Sequence, residues 1–307
     1  MPIRPARVLV VGSANVDFTI AAARLPAPGE TVTDGTLLVN HGGKGANQAV
    51  AARRLGADVR FVGCVGADAS GAAIRAGLVA EGIGVDGLVE SAGEATGTAL
   101  IVVDAAGENQ ITVAPGANRT LTVAQVEARA DDFAWADVVA CQLEIPLPCV
   151  HAALAAARRH GAVTILNPAP VPSARLDMLP LVDYLTPNEG EASRLSALDV
   201  RAPADAIPAA KALRAAGART VVVTLGENGA AAVGDETMTV PAVKVTAIDT
   251  TAAGDAFNGG LAVALAEGRP LREALGFATA TAALTCTRRG AQASLPCRDD
   301  VEALLRG

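Results

Sequence analysis

Aromatic residues are scarce in this chain of 307 residues, which contains one Trp, one Tyr and five Phe. Proteins that bind single-stranded nucleic acids stack the bases on aromatic side chains, so the sequence disfavours that class. Positive charge is also in deficit, because 25 Lys and Arg stand against 32 Asp and Glu, for a formal net charge of −7. This acidic balance argues against a nucleic-acid partner, whereas a local basic pocket for a small phosphorylated ligand is compatible with it.

Long apolar runs are missing as well. No stretch approaches the ~20 residues that a membrane-spanning helix needs, and the run at 8–11 is too short for the core of a signal peptide. The cysteines form no CxxC pair and no Cys/His metal spacing. They are Cys64, Cys141, Cys149, Cys286 and Cys297. We therefore expect a cytoplasmic protein with reduced thiols and no contact with membranes.

Apolar residues make up 51% of the chain against 19% charged residues, so a large core can form and disorder is excluded. Short apolar runs, typical of buried parallel strands, occupy residues 8–11, 59–65, 138–141, 163–166 and 220–225. Segments rich in Ala, Leu and Arg lie between them and predict helices over 46–55, 70–81, 147–160 and 204–216. The alternation predicts an α/β fold, one domain over residues 1–307, whose central and mostly parallel sheet has helices on both faces.

Two segments interrupt the alternation of strands and helices. Residues 17–40 and 96–113 contain β-branched runs separated by turns that include glycine, which is typical of hairpins. In the first segment the runs lie at 18–20, 31–33 and 37–39. We expect these hairpins to form a small separate sheet that covers the ligand crevice as a lid. Because an exposed sheet edge tends to pair, we also expect a two-fold symmetric homodimer through the lid.

Small residues lead up to an acid in the segment 247–260, where a predicted helix begins and continues to about Glu267. The first backbone N–H groups of a helix are unpaired, and together with the helix dipole they form an anion site. Asp255 lies at this helix start, where it could take a proton from a hydroxyl aimed at the same anion. An aspartate that only caps the helix is the alternative, and for the Gly-Asp pair alone it is favoured.

A second glycine-rich segment, residues 40–49, opens the first predicted helix. Its glycines allow a ligand to approach the backbone closely, while Lys44 offers a cation and Asn47 an amide. The glycine spacing differs from that of a Walker A loop, and no Ser or Thr follows the lysine. A glycine-rich turn that leads into a helix explains the segment equally well.

A third polar segment, residues 12–17, directly follows the first predicted strand. Ligands of open α/β sheets bind at the carboxyl ends of strands. Asn15 and Asp17 suit a polyhydroxylated ligand there, because the amide can donate and the carboxylate accept. In isolation, an ordinary Asx turn is the simpler explanation.

One motif fits a different class of enzyme, the NAD-dependent oxidoreductases. Residues 82–87 match G-x-G-x-x-G, the fingerprint of dinucleotide binding. The match follows a predicted helix and opens none, whereas the fingerprint requires a strand, a turn and a helix in that order. The sequence therefore disfavours this class.

Together the three polar segments resemble the ribokinase-like carbohydrate kinase family, and the resemblance covers nearly the whole chain. The string Asp-Thr-Thr-Ala-Ala-Gly-Asp at 249–255 is specific to the family, and Gly-Gly-Lys-Gly-Ala-Asn-Gln at 42–48 to one branch of it. Further matches lie at 28–32, 142–144, 166–170, 186–189, 224–226 and 287–292. The resemblance implies an enzyme that uses ATP and Mg²⁺ to phosphorylate the primary hydroxyl of a sugar, in the first place D-ribose.

The resemblance also implies a role for individual residues. Asp255 would be the catalytic base, and the anion hole would consist of Ala252, Ala253 and Gly254. The sugar would be held by Asn15, Asp17, Gly42, Gly43, Lys44, Asn47, Glu144 and Asp255. The nucleotide would lie along Asn188, Thr224, Gly226, Gly229, Gly254 and Thr279. A monovalent cation, potassium in the first place, would be surrounded, mostly by backbone oxygens, at Asp249, Thr251, Thr285, Arg288, Gly290 and Ser294.

Three positions depart from the family pattern. Thr279 stands where a larger polar residue or His is familiar near the adenine, and His41 stands where an apolar residue is expected. Thr251 replaces a bulkier aliphatic residue, but a backbone carbonyl does not depend on the type of side chain. None of the three decides the sugar. A kinase for another pentose, deoxyribose or a nucleoside therefore stays an alternative, and a sugar-binding protein without catalysis is a weaker one.

Overall fold

The structure is a computed structural model that describes residues 4–306. Its first half contains the strands β1 (Arg7–Val11), β2 (Asn15–Ala21), β3 (Thr36–Gly42), β4 (Asp58–Gly66), β5 (Gly84–Ser91), β6 (Gly97–Val103), β7 (Asn109–Ala114) and β8 (Val138–Cys141). The helices of this half are α1 (Lys44–Arg54), α2 (Ala69–Ala80), α3 (Val123–Glu127), α4 (Ala130–Trp135) and α5 (Leu147–Arg159).

The second half continues with the strands β9 (Val163–Leu166), β10 (Tyr184–Leu185), β11 (Thr220–Thr224), β12 (Ala230–Val233) and β13 (Thr237–Val240). Its helices are α6 (Glu189–Ser196), α7 (Ala206–Ala215), α8 (Ala253–Ala266), α9 (Leu271–Thr285) and α10 (Arg298–Arg306). The predicted apolar runs and the helices between them are confirmed, with ends that differ by one or two residues.

The large sheet has the strand order β13-β12-β11-β10-β9-β8-β1-β4-β5. Neighbouring strands from β5 through to β11 run parallel, and only β12 and β13 are antiparallel to their neighbours. Parallel strands between two helical layers are buried on both faces, which explains the uninterrupted apolar runs. The expectation of a central, mostly parallel sheet is confirmed.

The core lies on both faces of this sheet. Along β1, Val8 and Val10 pack into one cluster, which also receives the buried faces of α1, α2, α8, α9 and α10. Leu9 and Val11 point the other way and pack with α3, α4, α5, α6 and α7. Since successive side chains of a strand alternate between its faces, one short apolar run serves both layers.

The small sheet, called the lid sheet below, consists of β3-β2-β6-β7. Within it β2 is antiparallel to β3 and parallel to β6, and β6 is antiparallel to β7. The predicted runs 18–20 and 37–39 lie in β2 and β3. The run 31–33 was expected to be a strand, and this expectation is wrong, because residues 31–33 form a mostly exposed connection that pairs with no strand of the described chain. β-branched residues alone do not make a strand without a neighbour to pair with.

The structure also bears on other features that were interpreted from the sequence. The segment 82–87 opens strand β5 rather than a helix, as its rejection as a dinucleotide fingerprint requires. All five cysteines are free thiols, and Cys64, Cys141 and Cys149 are buried. No helix within residues 4–306 combines the length and the apolar character needed to span a membrane. The division of the chain into a single domain stays a prediction.

Candidate active site

A cavity of about 220 Å³ lies where the amino terminus of α8 meets α1 and the ends of β9 to β11. Lys44, Asn188, Thr224 and the segment 252–255 line it, together with Asn167. A wider groove of about 670 Å³ lies beside the first residues of β9, β10 and β11, at the opposite end of the sheet. Ligands of open α/β sheets bind at the carboxyl ends of the strands, so the smaller cavity is the candidate active site.

The first turn of α8 presents backbone donors to this cavity. Ala252 precedes the helix in a left-handed conformation with φ 61°, and no side chain caps the helix. The N–H groups of Ala252 and Gly254 have no acceptor among the described residues, whereas that of Ala253 donates to the Thr250 carbonyl at 3.2 Å. Unpaired N–H groups at a helix start attract anions. Two of the three predicted anion-hole residues thus have a free donor.

Asp255 is buried in the same turn, with 6% of its surface exposed. One oxygen, Oδ2, accepts a hydrogen bond from Asn47 Nδ2 at 2.9 Å, and Oδ1 accepts one from Gln48 Nε2 at 3.1 Å. Burial raises the pKa of Asp255, against the opposing effects of the Lys44 charge and these two hydrogen bonds. The site therefore contains a carboxylate with enhanced affinity for a proton.

Lys44 brings a positive charge into this cavity. Burial lowers its pKa, but the carboxylates of Asp255, Glu144 and Glu191 outweigh that effect, and the net pKa is raised. Lys44 therefore stays protonated at neutral pH. A half-buried cation beside free backbone donors provides a site for a phosphoryl group.

Glu144 is fixed where the loop after β1 meets the start of α1. Its Oε2 accepts hydrogen bonds from Ser13 Oγ at 2.5 Å and from the Lys44 backbone N–H at 3.1 Å. Its other oxygen, Oε1, makes no hydrogen bond to the described residues. One carboxylate oxygen thus anchors the side chain, and the other is available to a ligand hydroxyl.

The glycines of the segment 42–48 allow α1 to begin directly against the loop that follows β1. Gly43 has φ 87°, and a Cβ there would lie 2.8 Å from the Cα of Ala14. A Cβ at Gly45 would lie 2.6 Å from the backbone nitrogen of Ser13. Any larger residue at these two positions would separate Lys44 and Asn47 from the β1 loop, which explains the glycine spacing.

Asn15 and Asp17 point to one face of the lid sheet, since they are two residues apart on β2. A Cβ at Gly42 would overlap the Asp17 carboxylate, so this glycine makes room for it. Burial raises the pKa of Asp17 to about 6, with further contributions from the negative charges of Glu144 and Asp255. The negative charges of Glu144 and Asp255 thus act on Asp17 and oppose its ionisation.

The chain as a whole is similar to known sugar kinases. Residues 5–298 match the pfkB family of carbohydrate kinases. The chain belongs to that family. A ribokinase of Haemophilus influenzae is 40% identical over 292 residues, which cover 95% of this chain and 95% of that protein. A deoxyribokinase of Salmonella typhi is 34% identical, over 94% of this chain and 95% of that one.

Solved structures agree with this assignment to the pfkB family. The structure of Arabidopsis thaliana ribokinase complexed with ribose and ATP has a TM-score of 0.92 and 32% identity, over 99% of this chain and 100% of that one. The expected resemblance, the fold class with its small separate sheet, and the activity of a carbohydrate kinase are therefore confirmed.

The residues predicted for the nucleotide of this pfkB kinase lie at several places around α6 and α9. Asn188 caps α6 through a hydrogen bond from the Glu191 N–H at 2.8 Å, and it forms a parallel bridge with Thr224 at the end of β11. Both line the cavity, whereas Gly226, Gly229 and Thr279 do not. The predicted nucleotide residues outside the cavity are Gly226 in the turn after β11, Gly229 before β12 and Thr279 on α9, whose hydroxyl donates to the Leu275 carbonyl at 2.7 Å.

The two loops predicted to surround a monovalent cation are joined by Asp249. Its Oδ1 accepts from the Thr251 N–H and its Oδ2 from the Gly290 N–H, both at 2.9 Å. Thr285 is the last residue of α9, and Arg288 and Ser294 follow it; the Ser294 hydroxyl donates to the Ala291 carbonyl at 2.8 Å. Asp249 thus ties the segment before α8 to the segment after α9, and the cation site stays a prediction.

Some residues of the site were not predicted from the sequence. Gln48 lies inside the quoted motif, yet its bond to Asp255 joins residues 207 positions apart. Asn118, which follows β7, was not among the predicted site residues either. It is 1% exposed and donates from Nδ2 to Asn15 Oδ1 at 2.8 Å, while its Oδ1 accepts from the Ala14 N–H at 3.0 Å. Asn118 therefore orients the Asn15 amide.

Proposed function

We propose that this kinase transfers the γ-phosphoryl group of ATP to the primary hydroxyl of D-ribose and releases D-ribose 5-phosphate. The observation that carries the proposal is the buried carboxylate of Asp255 beside the free N–H groups of Ala252 and Gly254. A base next to an anion site is what phosphoryl transfer to an alcohol requires. The full-length similarity to ribokinases supports ribose as the sugar.

Asp255 acts as the general base. It accepts the proton of the sugar hydroxyl while the hydroxyl oxygen bonds to the γ-phosphorus and the bond from that phosphorus to the bridging oxygen of ADP breaks. The raised pKa of Asp255, which burial causes, favours this proton transfer. Asn47 and Gln48 each bind one oxygen of the carboxylate, and the remaining lone pairs face the substrate.

Negative charge on the transferred phosphoryl group is stabilised by groups of this chain. The N–H groups of Ala252 and Gly254, with that of Ala253 after release from Thr250, bind its oxygens, and Lys44 adds a positive charge. Mg²⁺, when bound, neutralises phosphate charge. Within residues 4–306 no group of three or more His, Cys, Asp or Glu side chains could hold a metal ion.

The sugar occupies the space between the lid sheet and α1. Asp17 and the free oxygen of Glu144 accept hydrogen bonds from its hydroxyls, and the amides of Asn15 and Asn47 complete the set. Gly42 and Gly43 allow the sugar to approach the backbone. These contacts align the sugar ring and its primary hydroxyl with Asp255.

The nucleotide extends from the cavity past Asn188 and Thr224 toward Gly226, Gly229 and Thr279. A potassium ion held between the loops of Asp249 and Gly290 would fix the backbone that leads into α8. Its effect would be positional, since it need not touch either substrate. We further propose that the enzyme works in the cytoplasm as a homodimer that pairs through the lid sheet.

A deoxyribokinase is the second candidate, because the Salmonella typhi enzyme of that name is 34% identical over nearly the full chain. The two sugars differ by one hydroxyl. A site whose buried carboxylates need that hydroxyl as a donor binds the deoxy sugar less well.

The proposal is tested with purified enzyme, ATP and Mg²⁺ by ADP release on D-ribose, 2-deoxy-D-ribose, other pentoses and adenosine. The Asp255→Asn variant, prepared in the same way, gives the background from contaminating kinases. We expect the highest kcat/KM with D-ribose. A higher value with 2-deoxy-D-ribose would establish the second candidate, and no release above background with any sugar would overturn the proposal.

A further inference from the structure

Asp255 receives one of its hydrogen bonds from a chain of two glutamines. Gln48 on α1 donates from Nε2 to Asp255 Oδ1 at 3.1 Å and to Asn167 Oδ1 at 3.3 Å. Its own carbonyl, Oε1, accepts from Gln142 Nε2 at 2.6 Å. Both glutamines are buried, with 1% and 0% of their surface exposed. Water therefore does not compete with these bonds.

The direction of both glutamine amides in this hydrogen-bonded series follows from the charge of Asp255. An ionised carboxylate only accepts hydrogen bonds, so Gln48 must turn its NH₂ group toward it. The carbonyl of Gln48 then faces Gln142, which in turn must present its own NH₂ group. The opposite orientation of either amide would bring two oxygens together.

This arrangement leaves one polar atom unsatisfied. Gln142 Oε1 is buried without a hydrogen-bond partner among the described residues, and it lies against Gly12, where a Cβ would overlap it. A buried unpaired oxygen costs free energy, and such a group in a folded protein calls for an explanation. Turning the Gln142 amide would place its oxygen against that of Gln48, so the unpaired atom results from the direction that Asp255 imposes.

We propose that Gln48 and Gln142 are positioning residues that hold the Asp255 carboxylate, through the fixed direction of their amides, in the orientation that takes the proton from the sugar hydroxyl. Neither glutamine lines the cavity, so both act through Asp255. The proposal rests on Asp255 as the base of the proposed reaction, and its test is arranged to fail separately from that function.

Other charges also act on Asp255, and the test must hold them constant. They are Lys44 on α1, Glu144 after β8, Asp17 on β2 and Glu191 on α6. Substitution of either glutamine leaves these groups in place. A hydrogen bond to an ionised carboxylate lowers its pKa, so loss of the Gln48 bond raises the pKa of Asp255 further. The acid limb of the kcat/KM profile should then move to higher pH.

The experiment compares Gln48→Leu, Gln142→Met and Gln142→Glu with the parent enzyme, and with Gln125→Met as a glutamine replacement at the exposed cap of α3. We expect Gln48→Leu to lower kcat by roughly 100-fold, the low end of the span for loss of one preorganised donor, with little change in the KM for ribose. Gln142→Met should lower kcat less. Gln142→Glu should lower it more than Gln142→Met does, because a carboxylate at 142 accepts from Gln48 and turns its oxygen toward Asp255.

A second measurement separates positioning from packing. In an Asp255→Asn background, Gln48→Leu should cause little further loss of kcat, since groups that act through one residue are not additive. An equal fold loss in both backgrounds, or equal kcat and unshifted pH profiles for the two Gln142 variants, would overturn the proposal. If Asp255→Asn itself retains full turnover, the proposed function fails instead. Melting temperatures identify a variant that does not fold. If Gln48→Leu does not fold, the comparison of Gln142→Met with Gln142→Glu tests the proposal.

Discussion

In most proteins polar side chains are exposed and large apolar ones are buried. The surroundings of Asp255 and the lid sheet depart from this distribution in opposite ways. Around Asp255, the amides of Asn47, Gln48 and Gln142 lie buried, and Asp255 itself is 6% exposed. On the lid sheet, large apolar side chains face outward, including Leu37 at 57%, Leu100 at 57% and Ile111 at 56% exposure. Buried polar groups need hydrogen bonds, and exposed apolar clusters need a cover.

The difference shows where each region obtains its stability. The buried polar region finds most of its hydrogen bonds within the chain, such as those from Asn47 and Gln48 to Asp255, while Asn47 Oδ1 and Gln142 Oε1 lack a partner among the described residues. The lid sheet leaves large apolar side chains uncovered by the described chain, and the proposed dimer would cover them. The first region should respond to mutation through chemistry and the second through association.

We expect the largest loss of turnover from a substitution of Asp255, at the centre of the buried polar region. Asp255→Asn keeps the volume and one acceptor but removes the base, so we expect turnover to fall by roughly 10²–10⁴-fold, the usual span for loss of general-base catalysis. Ribose binding, measured by calorimetry, should persist. Turnover within a factor of three of the parent enzyme would remove Asp255 from the mechanism.

The next largest effect belongs to Asp17, where the lid sheet meets the buried region. Asp17→Asn should raise the KM for ribose by roughly 5–150-fold, which corresponds to about 1–3 kcal/mol for a lost hydrogen bond to a charged group. Steady-state kinetics at saturating ATP measures this. A change confined to the KM for ATP would contradict the assignment of Asp17 to the sugar.

The same variant should stabilise the unliganded enzyme. Burial and neighbouring carboxylates raise the pKa of Asp17 from 3.8 to about 6. The folded state therefore holds this proton more tightly than the unfolded state, and ionisation of Asp17 lowers stability as the pH rises from about 4 to about 6. At pH 7.5 Asp17→Asn should raise the free energy of unfolding by about 1–3 kcal/mol, with no gain below about pH 4. Urea unfolding at both pH values checks the sign.

Potassium should produce a smaller effect by fixing the loops that lead into α8. With Mg²⁺ saturating and ionic strength matched, we expect turnover in potassium to exceed that in sodium several-fold, since oriented N–H donors act mainly on kcat. Asp249→Asn should reduce the difference. Equal rates in both salts, after removal of contaminating potassium and ammonium, would show that these loops form no selective cation site.

The smallest effect on turnover is expected from the lid surface, although association should change strongly. Leu37→Asp combined with Leu38→Asp places a charge on each face of β3, because adjacent residues point to opposite faces. Light scattering at micromolar concentration should give twice the chain mass of 30.7 kDa for the parent enzyme and the single mass for the variant. Thr36→Asp on the same strand is the matched control. A parent enzyme that is already monomeric would contradict the proposed dimer.

The sequence predicts those parts of the site that depend on neighbours along the chain. The start of α8 and the glycines before α1 are local patterns, and both were interpreted correctly as helix starts. Strand 31–33 was wrongly expected because β propensity does not include a pairing partner. The helices α9 (Leu271–Thr285) and α10 (Arg298–Arg306) were not predicted from the sequence.

Residues that act across the fold could not be predicted in this way. The bond from Gln48 to Asp255 exists because β1 and β8 are adjacent in the sheet and α8 packs against α1. Asn118 follows the last lid strand by a few residues, but its amide reaches Ala14 and Asn15, more than 100 positions away. Only the strand order brings such pairs together.

The four lid strands meet the body of the enzyme at one end. A small rotation at that end would therefore move the far end of the lid sheet by a larger distance. Asn15, Gly42, Gly97 and Ala114 are the strand ends at this base, where the Asn118 amide is buried. Strands of seven residues extend about 20 Å from that base at ~3.3 Å per residue. A rotation of about 10° around Asn118 would therefore displace the far end by roughly 4 Å at this strand rise, while Asn15 moves by a small fraction of that. Such a rotation would widen the mouth of the proposed sugar crevice while the Asn15 amide, proposed to bind the sugar, keeps its place.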